Sequence, residues 1–148
     1  MAKFIYRMQN ILDIKYKLEE TAKQEYTVAR LALTEEEEKL EGLLARKNSY
    51  YEKYQEALIG NLDFLTINEL SNANSILDNM IENQNEVIKK KSKELEIVKA
   101  KLNTVIQERK MHEKLKEKKF EEFLKELNYE ENKVTDEVVS YKFRKEEE

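Results

Sequence analysis

Proline, cysteine and tryptophan are absent from the 148 residues, and there are only two glycines and one histidine. Each absence removes a class of answer. Without proline, no ring clash interrupts a helix. Without cysteine there is no disulfide, thiolate nucleophile or thiolate metal site, which fits a reducing compartment. Two glycines, Gly42 and Gly60, cannot make a glycine-rich phosphate loop, so nucleotide binding by that device is excluded. No apolar run approaches the roughly 18 residues that a membrane-crossing helix needs, so no membrane insertion is expected. The opening MAKFIYRMQNILDIKYK carries charges every few residues and does not read as a secretory signal. A one-sided charge excess is also missing: 27 basic and 31 acidic residues give −4, with both signs mixed along most of the chain. Nucleic acid and anionic membranes are bound by basic excess, so neither is expected as a partner.

What remains is 39% charged and 40% hydrophobic, the composition of long helices and coiled coils. The apolar residues are periodic. From Ala22, steps of four and three reach Tyr26, Ala29, Leu33, Glu36, Leu40, Leu43, Lys47, Tyr50, Tyr54 and Ala57. This is an a/d heptad seam broken only by Glu36 and Lys47. Upstream, Ile11, Ile14 and Leu18 lead into Ala22 through two successive steps of four, a local stutter. A second seam runs Ile67, Leu70, Asn74, Leu77, Ile81, Gln84, Ile88, Lys91, Leu95, Val98, Leu102 and Val105. It blurs at Arg109 and His112, then resumes in a shifted phase as Phe120, Leu124, Leu127, Glu131, Val134, Val138 and Tyr141.

Between the seams lies LIGNLDFLTINEL, residues 58–70. Gly60 and Asn61 tolerate positive φ, and the Thr66 hydroxyl can cap a following helix. Two helices joined by so short a segment pack antiparallel. The fold class is therefore all-α, a long antiparallel two-helix coiled-coil hairpin with unequal helices. The expected layout is one coiled-coil domain over 1–148, with helix one at about 3–59, a turn at about 60–66, helix two at about 67–142 and a charged tail at 143–148. If residue i faces residue 127−i or 128−i, Glu36 falls opposite Lys91, a polar seam pair that fixes register. Phe4 then lies opposite Phe123, and residues after about 124 run past the N-terminus, still carrying Leu127, Val134, Val138 and Tyr141.

No catalytic constellation is present, and no cofactor is expected. His112 stands in a Lys/Glu-rich stretch, at a solvated or seam-edge position. The acidic run Glu35–Glu38 points its side chains to different helix faces. The basic stretch 109–119 meets an acidic partner or is a solvated face.

The opening MAKFIYRMQNILDIKYKLEE resembles the start of the FliJ family of flagellar type III export proteins. Its basic–aromatic segment Lys3-Phe4-Ile5-Tyr6-Arg7 leads into the pair Ile11-Leu12 and an acidic first helix. The later ERKMHEKLKEKKFEEF, 108–123, resembles the family's second helix. The resemblance implies a non-enzymatic protein like the stalk of a rotary ATPase. Its expected partners are the hexameric export ATPase FliI, the export-gate membrane protein FlhA and export chaperones. The terminal end would approach the ring centre, so the expected ATPase contacts are Phe4, Tyr6, Arg7, Ile11, Phe120, Phe123, Leu127 and Val134. By position, the family's gate contact falls on Ala73, Leu77, Met80 and Gln84, with Ala73 standing where the family pattern has a large aromatic. The expected place of action is cytoplasmic, at the inner face of the membrane under the flagellar base. Two other readings of the same rod are the equivalent stalk of a virulence type III system or rotary ATPase, and a generic scaffold or holdase.

Overall fold

The computed structural model describes residues 2–147 and is helical apart from its N-terminal lead and one loop. Helix α1 spans Gln9–Ala57 (49 residues) and α2 spans Phe64–Glu147 (84 residues), packed as an antiparallel hairpin with unequal arms. No helix among the described residues is long and apolar enough to cross a membrane. Two units are distinguishable: Thr21–Leu102, which contains the loop, and Met1–Glu20 with Asn103–Glu148, which contains the terminal end.

In the loop unit, the side chains drawn out of solvent on α1 recur in steps of four and three from Ala22 to Ala57. On α2 they recur in the same way from Ile67 to Leu102. Both stretches carry the heptad that the sequence displays, because a 3.5-residue repeat keeps one stripe on the partner helix. Burial is thin: Ala22, Leu33, Leu77 and Leu95 are the buried apolar residues here.

The loop, 58–63, begins two residues earlier and ends three residues earlier than the expected turn. The last turn of α1 tightens through three-residue bonds, Leu58 N to Gln55 O and Ile59 N to Glu56 O. Gly60 then reverses the chain at φ +90°, a conformation that a Cβ disfavours. The cap of α2 is Asp63 rather than Thr66. Its Oδ1 accepts from Leu65 N at 3.1 Å and its Oδ2 from the Thr66 hydroxyl at 2.8 Å. The Asp63 carbonyl receives the first helical bond, from Ile67 N. Thr66 thus sits three residues inside the helix and supports the cap instead of making it.

These bonds favour the ionised carboxylate, with the Thr66 hydroxyl the largest cause, and hold Asp63 below its ordinary value of 3.8. A group whose pKa is lower folded than unfolded stabilises fully above the unfolded value and loses that contribution as pH falls through the folded one. Stability titrated downward from about pH 5 is therefore expected to show an Asp63 component that vanishes in Asp63→Asn. Thermal melts of the two proteins between about pH 5 and pH 2 check this, and parallel curves would disprove it.

The polar pair expected in the seam of the loop unit is made with a different partner. Glu36 forms no direct ion pair with Lys91, although the Lys91 charge is near enough to help hold its carboxyl low. Gln84 Nε2 donates to the Glu36 carboxylate at 2.6 Å and to its backbone carbonyl at 2.8 Å, while Lys91 pairs with Glu94 on its own helix at 3.5 Å. Glu36 thus takes its partner one heptad nearer the loop than Lys91, while Lys47 with Asp78 and Lys101 with Glu25 keep the helices within a few residues of the expected level. A polar pair still occupies the seam at Glu36. The amide of Gln84, with help from Lys39, holds that carboxyl below its usual range.

Candidate functional site

The terminal unit contains most of the residues expected to meet a partner. Its lead-in is not helical: residues 2–6 are irregular, 7 and 8 form a turn, and the first helical bond runs from Leu12 N to Met8 O. Helix one therefore begins six residues later than expected. Continued backward, the heptad would set Met8 and Ile5 on the seam. Unwinding leaves both exposed and swings Phe4 onto α2. The Phe4 ring lies 5.2 Å from that of Phe120, edge-on, and 5.5 Å from that of Phe123. Phe120 and Phe123 stack at 6.5 Å. Such offset and edge-to-face pairs add to plain area burial. Tyr6 is half-buried beside them, its hydroxyl enclosed without a hydrogen-bond partner. The groove between the lead-in and α2 is rimmed by Lys3, Arg7, Lys119, Glu122 and Glu126.

Below this aromatic cap, the sequence reading of the seam fails in an informative way. The α1 residues that face α2 are Leu12, Lys15, Glu19 and Ala22, not Ile11, Ile14 and Leu18. The heptad runs straight back from Ala22 with no stutter. Leu12 is 1% exposed and Glu19 6%, whereas Ile11, Ile14 and Leu18 are 38%, 53% and 45% exposed. Polar residues occupy the inside because α2 answers them. Arg109 grips Glu19 with two bonds, 2.7 and 3.2 Å, and reaches Glu113 at 3.0 Å. Tyr16 donates its hydroxyl to Glu113 at 2.5 Å, and Lys15 reaches Glu108 at 3.1 Å. Tyr16, followed by Arg109, holds the Glu113 carboxyl low, and its own phenol is raised in return. Glu19, then Glu113, holds the Arg109 charge in place. His112 continues the seam beside this layer, with Nδ1 enclosed and without a hydrogen-bond partner. No cluster able to hold a metal exists among the described residues.

Beyond the cap, α2 continues through Glu147, past the expected end near 142, and every described side chain from Asn128 to Glu146 is exposed. Leu127 is half-buried and Val134 is 59% exposed. The expected ATPase contacts therefore divide three ways. Phe4, Tyr6, Phe120 and Phe123 come together in the cap. Arg7 lies exposed on its rim. Ile11, Leu127 and Val134 belong to apolar stripes on either side.

The expected gate contacts lie in the loop unit and divide as well. Leu77 is 4% exposed and serves the seam. Gln84 is committed to Glu36, Ala73 is half-buried, and Met80 alone offers an exposed apolar side chain, at 42%. Met80 and Gln84 border a shallow notch at Gly42, whose other walls are Lys39, Leu43 and Arg46. Sequence reasoning also passed over the loop as a surface. Leu58, Ile59, Leu62, Phe64 and Leu65 are all exposed there. Five large apolar residues within eight positions was the signal, hidden because the stretch was read only as a turn.

No curated protein and no solved structure gives a significant match to the chain. The family model described as Flagellar FliJ protein matches residues 4–148. That match spans the aromatic lead-in, both helices and the loop, and by it this chain belongs to the FliJ family.

Proposed function

We propose that the chain is a non-enzymatic, stalk-like component of the flagellar type III export apparatus. It binds the hexameric export ATPase FliI through its terminal end and couples the ring to the export gate FlhA. The observation that carries this reading is the build of that end. An aromatic cap of Phe4, Phe120 and Phe123 is rimmed by Lys3, Arg7, Lys119, Glu122 and Glu126, and a solvent-exposed stretch of α2 continues beyond it. Apolar anchors inside a charged rim are the features that binding surfaces concentrate. Family membership supplies the flagellar setting, favouring it over a virulence system or an unrelated scaffold. On the gate side, Met80 and the Gly42 notch are the accessible part of the expected contact, with Ala73 and Gln84 at its edge; export chaperones are further partners. The chain acts in the cytoplasm, at the inner face of the membrane.

The test is the hydrolysis rate of the cognate export ATPase with and without the chain, measured alongside hexamer formation by sedimentation. The expected result is several-fold stimulation accompanied by more hexamer. An unchanged rate with no co-sedimentation would sink the reading.

A further inference from the structure

The lead into α1 carries the pattern of a second structure. From Leu12 the heptad runs backward to Met8 and Ile5, which are apolar yet face water, Ile5 at 77%. Nothing local stops the helix there. Residues 2–8 contain no glycine or proline. Met8, whose carbonyl takes the first helical bond, has no side-chain oxygen with which to cap it, and no acidic residue stands in the first turn. The start of α2 is different, since Asp63 caps it. What holds the lead out of the helix is a tertiary contact, the Phe4 ring against Phe120 and Phe123. The same arrangement encloses the Tyr6 hydroxyl without a partner, which costs stability.

We infer that the lead is a two-state strap. In the form described above it is irregular, with Phe4 laid on α2. In the other form residues 2–8 continue α1, and Ile5 and Met8 enter the seam. The pairs Lys15–Glu108 and Glu19–Arg109 set the level, which puts Met8 and Ile5 opposite roughly residues 115–123 of α2. The stem of Lys116 and the ring of Phe123, both half-buried on the seam side, receive them there. Phe123 keeps an apolar neighbour, and Phe120 loses Phe4. Tyr6 stands seven residues before exposed Asp13, so on a continued helix its hydroxyl returns to water. Lys3 and Arg7 oppose a helix N-terminus beside them, and this keeps the irregular form the resting one.

The helical form makes a surface that the irregular one lacks. Phe4 precedes Ile5 as Ile11 precedes Leu12 and Leu18 precedes Glu19, each one residue before a seam position. A helical lead therefore brings Phe4 into line with Ile11, Ile14 and Leu18, already exposed, as one apolar stripe along the flank of α1. On the ring reading, and only on it, this is the form that sets three expected ATPase contacts, Phe4, Arg7 and Ile11, on one face. The switch itself is tested without the ATPase.

Phe4→Ala in the full chain removes the anchor of the irregular form. The Cα chemical shifts of residues 5–8 are expected to move from irregular to helical values. The amides of Tyr6, Arg7 and Met8 gain helical bonds and are expected to exchange with solvent at least about tenfold more slowly than in the parent. Alanine favours a helix by itself, so the control is Phe4→Ala with Ile5→Gln and Met8→Gln. Glutamine keeps the helix propensity and removes the seam contact, and the lead of this variant is expected to stay irregular. A lead that stays irregular in Phe4→Ala overturns the inference and leaves the ring reading intact. A lead equally helical in both variants means that propensity rather than the seam forms the helix, and overturns it too. A lead that switches as described beside a chain that never stimulates the ATPase would instead retire the ring reading and leave the strap standing.

Discussion

A chain ending at Leu124 is expected to keep its helices and to lose the export ATPase. The reasoning starts from burial. Of the described side chains beyond Leu124, only Leu127 is withdrawn from solvent, so the cut removes almost no packed surface and leaves Phe4 against Phe120 and Phe123. Stability depends on surface taken from water, and little is given up. The proposed ring contact is another matter, because the cut deletes Val134 and the stripe around it. Losing two anchor residues weakens binding by about a hundredfold or more. Circular dichroism checks the first half of the statement and co-sedimentation with the ATPase hexamer the second. A truncated chain that binds as the full chain does would move the contact inward, to the aromatic cap and its charged rim. A truncated chain that unfolds would show that the exposed helix contributes to folding in a way its burial does not reveal. Phe4→Ala in the full chain then separates the two contributions, because it empties the cap without shortening α2.

The second large effect lies one layer below. Arg109→Leu is expected to lower the melting temperature by several degrees, more than any other single charge removal, while Glu19→Leu with Arg109→Leu recovers the loss or exceeds the parent. Arg109 holds a carboxylate that is 6% exposed with two bonds of good geometry. Taking away one member of an enclosed ion pair leaves the other without its main compensation, and is costly. Replacing both by apolar residues of similar size is often neutral or better. Leucines at these positions also complete the apolar heptad that the polar pair interrupts. Thermal melts of the two single variants and the double variant check this in one cycle. Equal melting temperatures for all four proteins would mean that the pair is effectively solvated. A double variant worse than either single would mean that Glu113, Tyr16 and Lys15 form one network with the pair.

How far the sequence carried the fold depends on which forces its letters record. The seams from Ala22 to Ala57 and from Ile67 to Val105 were legible residue by residue, because apolar spacing is itself the physical cause of the packing. The same criterion misread the first turns of α1. Ile11, Ile14 and Leu18 are apolar and evenly spaced, so they looked like the inside. A seam made of Lys15 and Glu19 is invisible until Glu108 and Arg109 are seen across from it. The Glu36 partner was missed because the amide of Gln84, one heptad nearer the loop, reaches the carboxylate directly while Lys91 turns to Glu94 on its own helix. The late start of α1 was missed because Phe4 leaves the helix for a contact more than a hundred residues away in sequence. At the candidate site, the aromatic members were anticipated by type and place, while the burial of Leu77 and the apolar character of the loop surface needed coordinates.

The loop has one more consequence, for how the polypeptide can be cut. From Lys53 to Lys89 there is no lysine or arginine, so trypsin finds no bond to cleave across the single non-helical stretch between Gln9 and Glu147. A protease that cuts after leucine or phenylalanine finds Leu58 and Leu62 in the loop itself, with Phe64 just behind them, all exposed. Nicking there severs the covalent link and leaves the heptad contacts untouched. The halves then remain together only as strongly as their side chains hold them, which separates the worth of the packing from that of the connection.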